Sequence, residues 1–217
     1  MAAGRDAPPG RCRFCAAPIA PGDRCCFCCR TVAAGLGRPP VPVAAAAFFQ
    51  PGDAVHRMLR RYKDAPVAEA RAYHAARAAR RLALLVGSHG CLRTGQRPPA
   101  WDVAVTVPST RGRLRSAVDD LVDRVPALAA ERLPLLERGP GRLDHLVVSP
   151  DGFVPTVGAG RWRGVRALVV DDVYTTGARA QSAAAALRTA GVVPVGIVVV
   201  GHLVYPASGR HCGGLAA

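Results

Sequence analysis

The chain is poor in lysine, in aromatic residues and in long apolar runs. Lys63 is the one lysine among 29 basic residues, and aromatics make up 5% of the sequence. Alanine is abundant beside all that arginine, so a GC-rich genome explains the skew as well as selection for phosphate binding does. Few aromatics leave few stacking platforms of the kind that single-strand nucleic-acid binders use. No apolar run reaches the roughly 18 residues of a spanning helix, so membrane insertion is not expected. Met1 to Pro9 lack the apolar centre of a signal peptide, which points to a cytoplasmic protein whose thiols stay reduced. There is no nucleophile elbow, no P-loop lysine and no His-Glu metal helix, which removes three common catalytic plans. His89 and Cys91 lie close in sequence without a third group to orient a base, and read as a loop pair.

What is present begins with size and charge. At 217 residues, half of them hydrophobic, the chain can build one α/β domain of moderate size plus a small appendage. A formal net charge of +14 implies an anionic partner: a nucleotide, a polyphosphate or nucleic acid.

Six of the eight cysteines fall between Cys12 and Cys29. Cys12-Arg-Phe-Cys15 is one CxxC knuckle, and Cys25-Cys26-Phe27-Cys28-Cys29 contains two overlapping ones. Pro18, Pro21 and Gly22 turn the chain between them. This spacing suits a four-thiolate structural Zn²⁺ site, with Cys12, Cys15, Cys26 and Cys29 favoured as ligands. Ligation through Cys25 and Cys28 is the alternative set, and disulfide or redox chemistry the alternative use. A segment this short has no core of its own, so the metal would supply most of its folding energy.

The most informative stretch is Ala167-Leu168-Val169-Val170-Asp171-Asp172-Val173-Tyr174-Thr175-Thr176-Gly177-Ala178. A short apolar run reads as a buried strand that ends in two carboxylates. Two hydroxyl residues and a glycine follow, and then an alanine-rich helix begins. That order builds a loop at the carboxyl edge of a parallel sheet, where α/β proteins bind ligands. Thr175, Thr176 and Gly177 offer amides and hydroxyls to a phosphate at a helix N-terminus. Asp171 and Asp172 would repel that phosphate, and suit sugar hydroxyls or a divalent cation beside it. Phosphate at one end and a diol in the middle describe a ribose 5-phosphate. Aspartates acting as helix caps are the structural alternative.

Elsewhere, Gly35, Gly37, Pro39, Pro40 and Pro42 are expected to break helices before Phe48-Phe49. Val55, Met58, Leu59 and Tyr62 recur at helical spacing after Gly52-Asp53, with Arg57, Arg60 and Arg61 opposite. A second helix is expected from Pro66 towards Val86, with Arg77, Arg80 and Arg81 on one side. These arginines suit either a phosphate backbone or a solvated face. Asp102 to Val107 reads as a strand, Ser116 and Asp119 as a helix start, and Leu143 to Val148 as another strand. Gly158-Ala159-Gly160 reads as a loop. A helix follows Gly177 with Ala180, Ala183, Ala184 and Leu187 inward; Gly191 closes it, and Val195 to Val200 is the last strand. The tail from Pro206, with His211-Cys212, is expected to be mobile.

The central stretch resembles the PRPP-binding motif of the type I phosphoribosyltransferases: four apolar residues, two acids, two variable residues, Thr-Thr-Gly. The resemblance implies a parallel sheet flanked by helices, with Asp171 and Asp172 on the ribose hydroxyls. It also implies that Val173, Tyr174, Thr175, Thr176, Gly177 and Ala178 form the 5′-phosphate loop, with Mg²⁺ accompanying PRPP. The loop after the first strand, Pro108, Ser109, Thr110 and Arg111, then corresponds to the one that holds pyrophosphate. Cysteine knuckle, helical bridge and this domain together are similar to the ComF family, and Arg61-Tyr62-Lys63-Asp64 resembles that family's Lys-Tyr-Lys-Gly segment. The ComF resemblance implies a phosphoribosyltransferase-like domain at 101–205, a zinc knuckle at 10–31, a linker at 32–51 and a helical bridge at 52–93. It implies PRPP or a nucleotide as ligand and phosphoribosyl transfer to a nitrogen acceptor. The alternative it carries is a non-catalytic role in competence and DNA uptake, with single-stranded DNA and a competence helicase-like protein as partners. One segment departs from the family: Arg111-Gly-Arg-Leu-Arg115 runs straight into Ser116-Ala117-Val118, without the Gly-Phe-Asn-Gln expected in the loop over the active site.

Overall fold

A computed structural model describes residues 9–87, 100–109 and 115–205. Thr110, Arg111, Arg113, His89, Cys91 and the tail from Pro206 lie outside the described residues. Helix α1 (Phe27–Leu36) leads into β1 (Val43–Ala45) and β2 (Phe48–Phe49), and helices α2 (Ala54–Asp64) and α3 (Ala68–Val86) follow. After β3 (Val103–Thr106) come the short helices α4 (Ala117–Val122) and α5 (Pro126–Ala129), then the antiparallel pair β4 (Leu136–Arg138) and β5 (Phe153–Pro155). The chain closes with β6 (Arg166–Tyr174), α6 (Ala178–Thr189) and β7 (Val193–Leu203).

The main sheet runs in the order β1-β7-β6-β3, with β2 pairing β7 beyond β1, and every pairing in it is parallel. Helices cover both faces, which explains why β6 is apolar throughout its middle rather than alternating. Ala167 and Val169 pack with Ala180, Ala183, Ala184 and Leu187 of α6 and with Cys12, Cys15 and Cys29. Leu168 and Val170 pack on the other face with Met58, Leu59 and Tyr62 of α2, with α3, and with Val118, Leu121 and Val122 of α4. The helical stripes expected from spacing are the buried ones. Their caps are also present: Asp53 accepts from the His56 amide, and Ser116 and Asp119 form a reciprocal capping box.

Two segments differ from expectation. Residues 32–51, expected as a linker, contribute the end of α1 and then β1 and β2 of the main sheet. α1 passes through Gly35, where a Cβ would lie 2.4 Å from Val148 Cγ2, and stops at Gly37, whose φ of +62° favours glycine. The prolines sit ahead of β1, at the start of an edge strand, where the missing N–H costs little. Leu143 to Val148, expected as a strand, forms none. Side chains meet its backbone at His145, whose carbonyl accepts from the Thr176 hydroxyl and whose amide donates to Asp144 Oδ1 at 2.7 Å; just beyond it, the Ser149 amide donates to Ser182 Oγ at 3.0 Å. The strands in this region are β4 and β5 on either side of it.

Gln181 ties the two ends of the chain together. Fully buried on α6, it accepts from the Val41 amide and donates to the Val41 carbonyl, both at 2.8 Å. Gln181→Leu keeps the volume and orphans both backbone groups, at a cost of about 1–3 kcal/mol for each. Urea denaturation should show a lower midpoint with an unchanged slope.

Candidate functional site at the carboxyl edge of the sheet

Because β3, β6 and β7 are parallel, their carboxyl ends lie along one edge. β3 pairs with β6 as far as Thr106 opposite Val170, and the Val107 amide donates to the Val170 carbonyl at 2.9 Å. Pro108 and Ser109, both half-buried, therefore leave the sheet beside Asp171. Thr110 and Arg111, the other two residues expected to hold pyrophosphate, lie outside the described residues.

The acid pair is deeper than the sequence implies. Asp171 and Asp172 were expected at the end of a strand, but β6 continues through them and stays paired with β7 as far as Tyr174 opposite His202. The two residues are 3% and 2% exposed. Asp172 lies on the α2 face, and its Oδ2 accepts from the Tyr62 hydroxyl and the Lys63 ammonium. Asp171 Oδ1 accepts from the Asp172 amide at 2.9 Å. Tyr62 and Lys63 are the residues of this site that sequence reasoning missed. One signal pointed to them: the chain's single lysine follows a tyrosine on the buried stripe of a helix.

Burial and neighbours split the pair electrostatically. Burial pushes the Asp171 carboxyl up to about 7, with Arg179 pulling it down and Asp172 pushing it further up. Burial would raise Asp172 too, but the charge and hydrogen bond of Lys63 and the hydroxyl of Tyr62 outweigh it and hold that carboxyl below its ordinary value. Tyr62 itself is pushed far up, by burial first and then by Asp172.

Beyond Tyr174 the chain turns into α6 through Thr175, Thr176 and Gly177. Gly177 is the N-cap with φ +85°, and a Cβ there would lie 2.0 Å from the Tyr174 hydroxyl, so only glycine fits. Having no side chain, Gly177 cannot cap the helix; the Ala178 amide donates to Thr176 Oγ1 at 3.4 Å, and the next amides of the first turn are left for another acceptor. Thr175 is half-buried. Thr176 is buried and its hydroxyl is engaged with the His145 carbonyl, so of the two threonines expected to meet a phosphate, one has an internal partner.

Behind this turn stands the cysteine cluster. The sulfurs of Cys12, Cys15, Cys26 and Cys29 all lie within 4.8 Å of one another, and no disulfide joins the described cysteines. Cys26 caps α1, its sulfur accepting from the Cys29 amide. Thiols this close cannot all ionise unaided. Hydrogen bonding with Cys15 holds Cys12 down to about 6, while the same contact pushes Cys15 well up. One cation among them would resolve the conflict, so this donor set fits a metal ion. Cys12, Cys15 and Cys29 share a core with Tyr174, whose ring meets His202 edge-on at 5.0 Å.

No family model matches the chain, and a search of curated proteins returns no match. Among solved structures, adenine phosphoribosyltransferase from Leishmania tarentolae is 12% identical, covering 71% of this chain and 90% of that one, with a TM-score of 0.39. The adenine phosphoribosyltransferase from Leishmania donovani is 13% identical, covering 78% and 89%, also at 0.39. Likeness this distant says nothing of activity. Among the described residues no helix is long and apolar enough to cross a membrane.

The raised Asp171 carboxyl has a consequence for stability. The folded state holds this proton up to about 7, whereas the ordinary value is 3.8. The folded state therefore binds more protons in that window, and the contribution of Asp171 to stability is lost as pH rises through it. Asp171→Asn is neutral at every pH and lacks that loss. Urea midpoints at about pH 5 and about pH 8 should show the variant gaining on the wild type at the higher pH.

Proposed function

We propose that this chain binds PRPP or a nucleotide at the carboxyl edge of its sheet and transfers the phosphoribosyl group to a nitrogen acceptor. One observation carries the reading: an acid pair, the exit of β3 and the start of α6 meet at a single edge. Asp171 and Asp172 take the ribose hydroxyls. The turn from Val173 to Ala178 takes the 5′-phosphate on its backbone amides, with Thr175 beside it. Pro108, Ser109, Thr110 and Arg111 take the pyrophosphate, for which an arginine fork is well shaped. Mg²⁺, when bound with PRPP, supplies neutralising charge as pyrophosphate leaves. The acid pair suits a cation, since Asp172 already draws the ammonium of Lys63. A carboxylate held ionised beside the sugar steadies positive charge developing at C1.

Calorimetry with Mg·PRPP should show binding that Asp171→Ala and Asp172→Asn each abolish, and one of a panel of bases should release pyrophosphate. Unchanged affinity in both variants contradicts the ribose assignment. The exposed arginines of α2 and α3, Arg57, Arg60, Arg61, Arg77 and Arg80, support the DNA-binding alternative. Salt-steep binding of single-stranded DNA with no pyrophosphate release from any base would favour it.

The same proposal assigns structural Zn²⁺ to Cys12, Cys15, Cys26 and Cys29. Zinc–sulfur bonds of about 2.3 Å give a tetrahedron with edges of about 3.8 Å. Cys15 and Cys26 already stand 3.7 Å apart. Elemental analysis should find one zinc per chain, lost in Cys29→Ser together with thermal stability. A folded, zinc-free wild type contradicts the assignment.

A further inference from the structure

We propose that Lys63 is a displaceable stand-in cation over the ribose site, held on Asp172 until a sugar diol with its divalent cation takes its place. This inference rests on the ribose reading above and adds what must move for that reading to operate.

The need for movement is geometric. Asp172 is 2% exposed, and its Oδ2 accepts from both Tyr62 and Lys63. A carboxylate oxygen has about two lone-pair positions, so this oxygen is saturated. A ribose hydroxyl is confined to Oδ1 until one donor withdraws, and a divalent cation meets the positive charge of the ammonium at Oδ2.

The two donors differ in freedom. Tyr62 is 5% exposed and packed with Met58 and Leu59 into the core under β6. Lys63 sits one residue before the end of α2, and its side chain is 33% exposed. Its ammonium lies 5.4 Å from the centre of the Tyr62 ring, an aromatic face that attracts a cation along the way out. A groove of about 520 Å³ opens on the same side, lined by Tyr62 and Lys63 and by Arg71, Arg115, Asp120 and Arg124. It gives the four-carbon stem of Lys63 somewhere to go.

The exchange is also conditional. Stripping Lys63 from a buried carboxylate would leave an unpaired charge in the interior, which is strongly unfavourable. Lys63 therefore leaves only when other positive charge and other donors arrive together. Ribose 5-phosphate with Mg²⁺ brings both. Inorganic phosphate brings neither and should leave the lysine where it is. Lys63 thus acts as a positioning residue: it keeps Asp172 ionised and in place in the resting protein.

Because Lys63 is the only lysine in the chain, amine acylation followed by peptide mass spectrometry reads its accessibility directly. In the wild type, labelling of Lys63 should be slow, unaffected by inorganic phosphate, and severalfold faster with Mg²⁺ and ribose 5-phosphate. Asp172→Asn should label severalfold faster without any ligand. Lys63→Met, which keeps most of the stem, should bind ribose 5-phosphate with Mg²⁺ more tightly than the wild type in calorimetry. Labelling in Asp172→Asn no faster than wild type overturns the resting contact. Calorimetric binding with Lys63 labelling unchanged or slowed overturns the displacement alone, as does weaker binding by Lys63→Met. No binding of ribose 5-phosphate by either wild type or Lys63→Met overturns the ribose reading itself.

Discussion

Two carboxylates side by side inside a buried parallel strand are the constraint around which the rest is arranged. Neither can stay ionised there without help, because burial disfavours charge and each acid repels the other. The chain resolves this by treating them differently. Asp172 faces α2 and receives a lysine and a tyrosine, whereas Asp171 holds its proton up to about 7. A strand evolved for stability alone would carry valine at both positions, as it does at Val169 and Val170. Two acids where apolar residues would pack cost stability, which is what motivates the proposed site there.

The architecture then supplies what such a site needs. Parallel pairing brings the end of β3 alongside the acids, and the turn after Tyr174 starts α6 at a glycine that contributes no cap of its own. Tyr174 connects this turn to the N-terminal cysteines, since its hydroxyl fills the space that makes Gly177 obligatory and its ring lies in the same core as Cys12, Cys15 and Cys29. Gln181, one turn into α6, holds the chain as it enters β1. The cysteine cluster is therefore continuous with the core behind the turn from β6 into α6.

Local patterns were legible in the sequence, and long-range contacts were not. The apolar run of β6, the stripes of α2 and α6, the Ser116 capping box and the knuckle spacing are each set within a few residues, so periodicity and caps reveal them. The contact of Tyr62 and Lys63 with Asp172 joins residues about 110 positions apart; the local sequence marks the tyrosine-lysine pair but not its partner. Gln181, which no sequence pattern singled out, is fully buried, with a partner 140 positions away. Residues 143–148 were misleading because their apolar residues suggested a buried strand, whereas none of the six is buried and Val147 is 54% exposed. The stretch from Val41 to Phe49 erred the other way: the prolines and glycines before it masked an edge strand. The depth of the acid pair was hidden for a related reason, since only the register with β7 shows that β6 runs on to Tyr174.

The central claim is that a sugar diol replaces Lys63 on the buried acid pair. A crystal structure with ribose 5-phosphate and Mg²⁺ tests it most directly. The account predicts the ribose hydroxyls against Asp171 and Asp172, the phosphate on the first amides of α6, and the Lys63 ammonium in the adjoining groove. A sugar bound elsewhere, or bound at this edge while Lys63 still sits on Asp172, would contradict it.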